Sequence, residues 1–252
     1  MRKPIFDTIR AQRGKGFTVD EVKAVDALLD QLGLEMDEAP LPVTDPVPVI
    51  TGNGTAGLDN AKAFFDAVRE SRLFGSALKP DQVNGLETVC SVAKTAAWPI
   101  AFTAYALATA AHETAYMMQP VREAFWLSEN WRSNHLRRYY PYYGRGYVQL
   151  TWKDNYERAD RELNLNGRLI DNIDLALDPD IAARIMVRGM QEGWFAGDNS
   201  GRHTLARHLP DNGVASKAQM TSARRIINGT DQDDKIAGEA IMFQEALRAG
   251  GW

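Results

Sequence analysis

His112-Glu113-Thr114 closes the most apolar stretch of this 252-residue chain. A carboxylate at the end of a buried helix is costly in its charged form, so its pKa is expected to rise. A general acid working near neutral pH needs that property. Position alone favours a solvated helix-end residue with no chemistry. The histidine does not start a zinc motif, because the residue four positions after His112 is Tyr116 and the HExxH pairing fails. His135, His203 and His208 are scattered, and Cys90 is the single cysteine. No metal-ligand set is legible, and neither a metal nor a cofactor is expected.

Glu123 stands ten residues after Glu113, and Glu129 six further on. Two carboxylates beside an aromatic-rich segment could serve glycosidic hydrolysis, one protonating the leaving oxygen and one serving the water. The same residues also read as surface acids with arginine neighbours, so spacing leaves both readings open. The stretch Tyr139-Tyr140-Pro141-Tyr142-Tyr143-Gly144-Arg145-Gly146-Tyr147-Val148-Gln149-Leu150-Thr151-Trp152 is unusual. Aromatic faces stack on sugar rings, and Gln149 and Thr151 can hydrogen-bond hydroxyls and acetamides. Gly144 and Gly146 let a backbone approach a ligand closely. In an extended segment Gln149 and Thr151 share one face. The alternative is an aromatic core turn. A phosphate loop is excluded, since no Gly-Lys-Thr follows. Glu123, Glu129, Asp154 and Glu157 surround the segment, and the chain carries a net charge of -4 with a pI of about 5.6. Nucleic acid is therefore not an expected partner.

These groups need a scaffold, and helical patterns dominate. Apolar spacing predicts helices over Asn60–Ser71, Lys79–Trp98, Pro99–Glu113, Lys153–Leu163, Pro179–Gly193, Val214–Ile227 and Asp234–Ala249. Residues 117–147 read as irregular, and Tyr147–Trp152 as the one strand-like piece. The fold class is mainly α with at most a small β-hairpin. The weakly polar run Ala96–Ala111 is alanine- and threonine-rich and holds Pro99. A membrane span needs about 20 strongly apolar residues, so this run is a buried helix and no stable membrane insertion is expected.

Charge marks off the first sixty residues. Residues 1–24 carry a net of +3, and residues 25–60 a net of -7 with no Lys or Arg. Residues 1–35 are expected to form a short N-terminal helical unit, with a second helix opened by the box Thr18-Val19-Asp20-Glu21. Four prolines and a glycine-rich stretch make 36–56 a linker. Residues 57–252 are then a further domain, which holds the candidate acids. With no secretory signal at the N-terminus, synthesis in the cytoplasm is expected.

The ordered blocks His112-Glu113-Thr114, Val121-Arg122-Glu123, Tyr142-Tyr143-Gly144-Arg145-Gly146-Tyr147-Val148-Gln149-Leu150-Thr151-Trp152-Lys153-Asp154-Asn155-Tyr156, Leu177-Asp178-Pro179-Asp180-Ile181-Ala182, Glu192-Gly193-Trp194-Phe195 and Ala223–Gly229 together resemble the family 19 glycoside hydrolases, the chitinase and lysozyme group. The resemblance covers roughly 110–230 and is nearest to the phage endolysin-like lysozymes of that group. It implies a lysozyme-like α-helical catalytic domain. It implies Glu113 as general acid and Glu123 as the base for water, with Glu129 as its substitute. It implies substrate positioning by Tyr143, Gln149, Thr151, Asn155 and Asn228. Larger chitinases of the group carry glycines after the His-Glu-Thr, where Ala115 and Tyr116 stand here. A proline commonly follows their Gly-Arg-Gly, where Tyr147 stands here, and their disulfides are missing. Those differences point to the lysozyme branch.

The expected function is therefore inverting hydrolysis of the peptidoglycan glycan backbone by a monomer that reaches the wall after release, as in phage lysis. Chitin hydrolysis, lytic transglycosylation and non-catalytic saccharide binding are the alternatives. The N-terminal unit is a candidate wall attachment.

Overall fold

The structure, a computed structural model, describes residues 57–252. The helical unit and linker expected over 1–56 lie outside the described residues. The described chain divides into two compact units, one of residues 57–122 and 142–252, the other of residues 123–141.

The larger unit is a helical assembly around one apolar core. Helix α1 (Ala61–Glu70) starts at Asn60, whose side chain accepts from the Ala63 amide. Helix α2 (Pro80–Thr95) has its proline in the first turn, where the missing N–H costs nothing. Helix α3 (Ile100–Glu113) is buried on every side from Ala101 to Ala111. A helix without a polar face belongs inside a core, and its alanines let neighbours approach closely. The turn after α3 lies so close to α2 that a Cβ on Gly85 would sit 1.7 Å from the Met118 carbonyl oxygen.

Strand β1 (Val121–Arg122) pairs antiparallel with β2 (Arg145–Gly146), Val121 opposite Gly146. Helix α4 (Glu129–His135) belongs to the second unit. Helices α5 (Lys153–Glu162) and α6 (Arg168–Asp171) and a 3-10 turn over Ile173–Leu177 follow. Helix α7 (Pro179–Glu192) packs on α2. Asp178 caps it by accepting from the Ile181 amide, so Leu-Asp-Pro-Asp is a helix start. A hairpin of β3 (Gly197–Asp198) and β4 (Gly201–Arg202) precedes α8 (Leu205–His208). Helix α9 (Lys217–Ala223) runs into a 3-10 turn over Arg224–Ile226. Helix α10 (Asp233–Ala249) lies along α3 and also contacts α9 and α1.

The class is mainly α, as the patterns predict, with two hairpins of two residues per strand. No helix among the described residues is long and apolar enough to cross a membrane. The strand-like segment differs from expectation. Residues 147–149 form a tight turn, and Leu150 bridges back to Arg145. Gly146 at φ 86° and Gln149 at φ 55° reverse the chain, which alternation of residue types does not reveal. The helix expected over Val214–Ile227 starts later, where Ser216 and Gln219 cap each other's backbone.

The second unit is organised by Arg132. Its side chain, 4% exposed, donates to the carbonyls of Glu123 and Ala124 and pairs with Glu129. Ser128 caps α4 through the Trp131 amide.

Candidate active site

Glu113 is the last residue of α3 and is 18% exposed at its side chain. Its Oε1 accepts from Arg224 Nη1 at 2.8 Å. Arg224 is almost wholly buried and also donates through Nε to the Asp231 carbonyl at 2.8 Å. One guanidinium thus ties the carboxylate to the loop that enters α10. Such a two-direction fork is what arginine offers and lysine does not. Burial holds the neighbouring His112 below its ordinary pKa, and the Arg224 and Lys235 charges act with it against the pull of Glu113. Burial also pushes the phenol of Tyr105, two helical turns back, up to about 12.

Backbone geometry carries Glu113 to this position. Ala115 donates to the His112 carbonyl and Tyr116 to the Ala111 carbonyl, a Schellman ending of α3. Asn228 follows Arg224 in the same turn and donates its amide to the Arg224 carbonyl at 3.0 Å. Glu113 and Arg224 are thus joined by an ion pair, and Asn228 is tied to Arg224 through its backbone alone.

Gln149, Thr151 and Asn155 form a second, connected string. Gln149 Nε2 donates to the Val121 and Gly146 carbonyls at 3.1 and 3.2 Å. Thr151 Oγ1 donates to the Gln149 carbonyl, and Asn155 Nδ2 to the Thr151 carbonyl. Both amide hydrogens of Gln149 thus brace the β1–β2 hairpin. The expected shared face of an extended strand is absent, because Gln149 sits in the turn. Gly144 lies beneath it, where a Cβ would come 2.7 Å from Gln149 Oε1. Tyr143 is buried, its ring 3.8 Å from the Arg145 guanidinium. Arg145 and Arg122 share the Asp174 carboxylate at 2.8 and 2.7 Å. Burial acts to raise the Asp174 pKa, but the two arginines outweigh it and hold it below the ordinary range.

The other two candidate acids belong to residues 123–141. Glu123 Oε1 accepts from the Tyr139 hydroxyl at 2.9 Å. Burial and the Glu123 charge push that phenol up to about 12. Glu129 is 43% exposed and pairs with Arg132 at 3.1 Å.

Sequence reasoning missed Arg224. Its signal was the adjacent pair Arg224-Arg225 inside the block Ala223–Gly229, to which no role was given. Among the described residues no group of three His, Cys, Asp or Glu could hold a metal ion.

No family model matches the sequence. Over 55 residues the chain is 44% identical to the acidic endochitinase pcht28 of Solanum chilense, a match covering 21% of this chain and 19% of that enzyme. The alignment thus spans about a fifth of the relative's length. A crystal structure of a chitinase C mutant is similar with a TM-score of 0.48 and 20% identity, over 78% of this chain and 95% of that one.

Proposed function

We propose that the chain is a glycoside hydrolase of the family 19 kind that cuts the peptidoglycan glycan backbone. The observation that carries this reading is Glu113, 18% exposed, at the end of a helix buried on every side from Ala101 to Ala111. Arg224 occupies one oxygen, so Oε2 delivers the proton to the glycosidic oxygen. The C1–O bond then breaks, and water adds to C1 from the opposite face. A carboxylate base takes the proton from that water, the role that the resemblance implies for Glu123, whose Oε1 accepts from the Tyr139 hydroxyl. Inversion at C1 follows from this direct attack. Gln149, Thr151 and Asn155 build the braced hairpin beside which the acetamides lie, Tyr143 supports that wall from within, and Asn228 closes from the Arg224 turn.

The peptidoglycan preference rests on Ala115, Tyr116 and Tyr147, which stand where larger chitinases of the group carry glycines and a proline. A second reading, chitin hydrolysis, is favoured by the similarity to an acidic endochitinase. Mass spectrometry of digested sacculi, run beside chitin oligomers, tests the proposal. Reducing muramic acid ends are expected. Anhydro ends would make the chain a lytic transglycosylase, and cleavage confined to chitin oligomers would establish the second reading. In the same assays Glu113→Gln, which keeps the shape and loses the proton, is expected to lower turnover by about 10² to 10⁴-fold.

A further inference from the structure

Ala115 and Tyr116 take consecutive left-handed conformations, φ 50° and 62°, directly after Glu113. Residues with a Cβ rarely adopt that region, and a helix usually ends there on glycine. The two Schellman bonds hold this pair from within α3, and the structure shows three further ties. Gln82 Nε2 donates to the Tyr116 carbonyl at 2.9 Å. Thr114 Oγ1 donates to the Ala110 carbonyl and accepts from the Met118 amide. The third tie is the only one of these made by the Tyr116 side chain. Its hydroxyl donates to Oε1 of Glu239, on α10.

Glu239 is an expensive partner. The residue is 6% exposed, and its Oε2 is buried without a hydrogen-bond partner. A buried carboxylate oxygen without a partner is destabilising and calls for an explanation. Burial raises its pKa, while Tyr116 and Lys235 act to lower it. Lys235 Nζ lies 3.9 Å from Glu239 Oε1 and 5.2 Å from the centre of the Tyr116 ring. Phe74 meets that ring edge-on, the two ring centres 6.2 Å apart.

We infer that Tyr116 and Glu239 are positioning residues that form a strut between the end of α3 and α10 and aim Glu113 at the glycosidic oxygen. The inference rests on the reading of Glu113 as the general acid. Helix α10 then holds that acid twice. The loop at its start holds the carboxylate, through the Asp231 carbonyl and Arg224. Its second turn holds the backbone beyond Glu113, through Glu239 and Tyr116. Without the strut the left-handed pair relaxes and the last turn of α3 loses its direction. A misplacement of about 1 Å can cost on the order of 10²-fold in rate.

The test measures kcat and KM on a soluble glycan for Tyr116→Phe, Glu239→Gln, Glu239→Leu and the double variant Tyr116→Phe/Glu239→Leu. Each is assayed well below its own melting temperature, with Glu113→Gln as control. Tyr116→Phe and Glu239→Leu are expected to lower kcat by roughly 10- to 100-fold with KM nearly unchanged. Glu239→Gln keeps an acceptor for the hydroxyl and is expected to stay near the parent. The double variant is expected to be no worse than the worse single, since both break one tie. Unchanged kcat in folded Tyr116→Phe overturns the strut, as does a Glu239→Gln variant as damaged as Glu239→Leu. Should Glu239→Leu not fold, Tyr116→Phe, which deletes one oxygen, decides alone. An active Glu113→Gln overturns both the strut and the reading beneath it. An inactive Glu113→Gln beside an undamaged Tyr116→Phe overturns the strut only.

Discussion

Arg224 shows how much a single side chain settles here. It is 1% exposed, and its two contacts use the separate Nε and Nη1 donors of one planar fork, a geometry that the single nitrogen of Lys does not offer. Arg224→Ala leaves Glu113 without its cation and is expected to destabilise the fold by about 3 kcal/mol. Urea denaturation measures that loss, and an unchanged midpoint would refute it. At the same scale the two candidate bases separate. Glu123 is held by the Tyr139 hydroxyl, whereas Glu129 is an exposed partner of Arg132. Glu123→Gln is therefore expected to lower turnover by about 10² to 10⁴-fold, and Glu129→Gln to be nearly silent. The opposite ranking in a turbidity-clearing assay would move the base to Glu129. Glu113 was legible in the sequence because it ends an apolar run, and Arg224 was not, because burial of an arginine is decided by residues far away in the chain.

Helices and turns carry the next predictions. Intrinsic propensity favours Ala over Gly inside α2 by about 1 kcal/mol. Gly85 is the exception, because a Cβ there would lie 1.7 Å from a backbone oxygen of the turn after α3. Gly85→Ala is expected to lower the melting temperature by roughly 5 °C or more, since backbone cannot step aside cheaply. A rise on calorimetry would show that the two helices can part. A second element-scale case links the β3–β4 hairpin, α8 and α9. Asp198 accepts from His203 Nε2 at 3.3 Å, His203 Nδ1 meets His208 Nε2 at 3.0 Å, and His208 Nδ1 meets Ser222 Oγ at 2.9 Å. With His208 neutral, its Nε2 donates to His203 Nδ1 and its Nδ1 accepts from Ser222, so both ring nitrogens of His208 are satisfied. Burial, helped by the charges of His203, Arg207 and Arg225 and opposed by Asp198, lowers the His208 pKa to about 4. The unfolded chain takes up that proton near pH 6.5, well before the folded one. Stability from this group is therefore full above about pH 6.5, falls as the pH drops, and is lost by about pH 4. Melts between pH 7 and 4 check this. His208→Gln should flatten that part of the profile, and an unaltered slope would count against it.

For the whole molecule, the larger unit holds a core drawn from Leu58 through Leu247. Residues 1–56 are proposed as a separable N-terminal unit and linker. A chain cut near residue 56 is expected to fold and to cleave soluble glycan, because domain boundaries fall in proline-rich stretches without an apolar face. If the removed piece is a wall anchor, its basic 1–24 segment should bind anionic polymer, and truncation should weaken sacculus binding most at low salt. If it packs on the remainder, the melting temperature falls and sacculus binding per folded molecule does not change. Loss of both folding and soluble-substrate cleavage would reject the division.

Composition and apolar periodicity alone determined the mainly α class, the buried α3 ending at Glu113, and the start of α7 at Asp178-Pro179. These are local properties: a helix without a polar face must be buried, and a cap needs only neighbours within three residues. The tertiary structure decided the rest. The Tyr147–Trp152 piece became a turn because β1, more than twenty residues earlier, is the partner of β2. Ala115 and Tyr116 took left-handed angles that their residue types do not announce, held by Gln82 and Glu239 from distant helices. Arg224 met Glu113 across 111 positions of chain. Contacts of that range depend on how helices pack, and packing is written in no single window of residues.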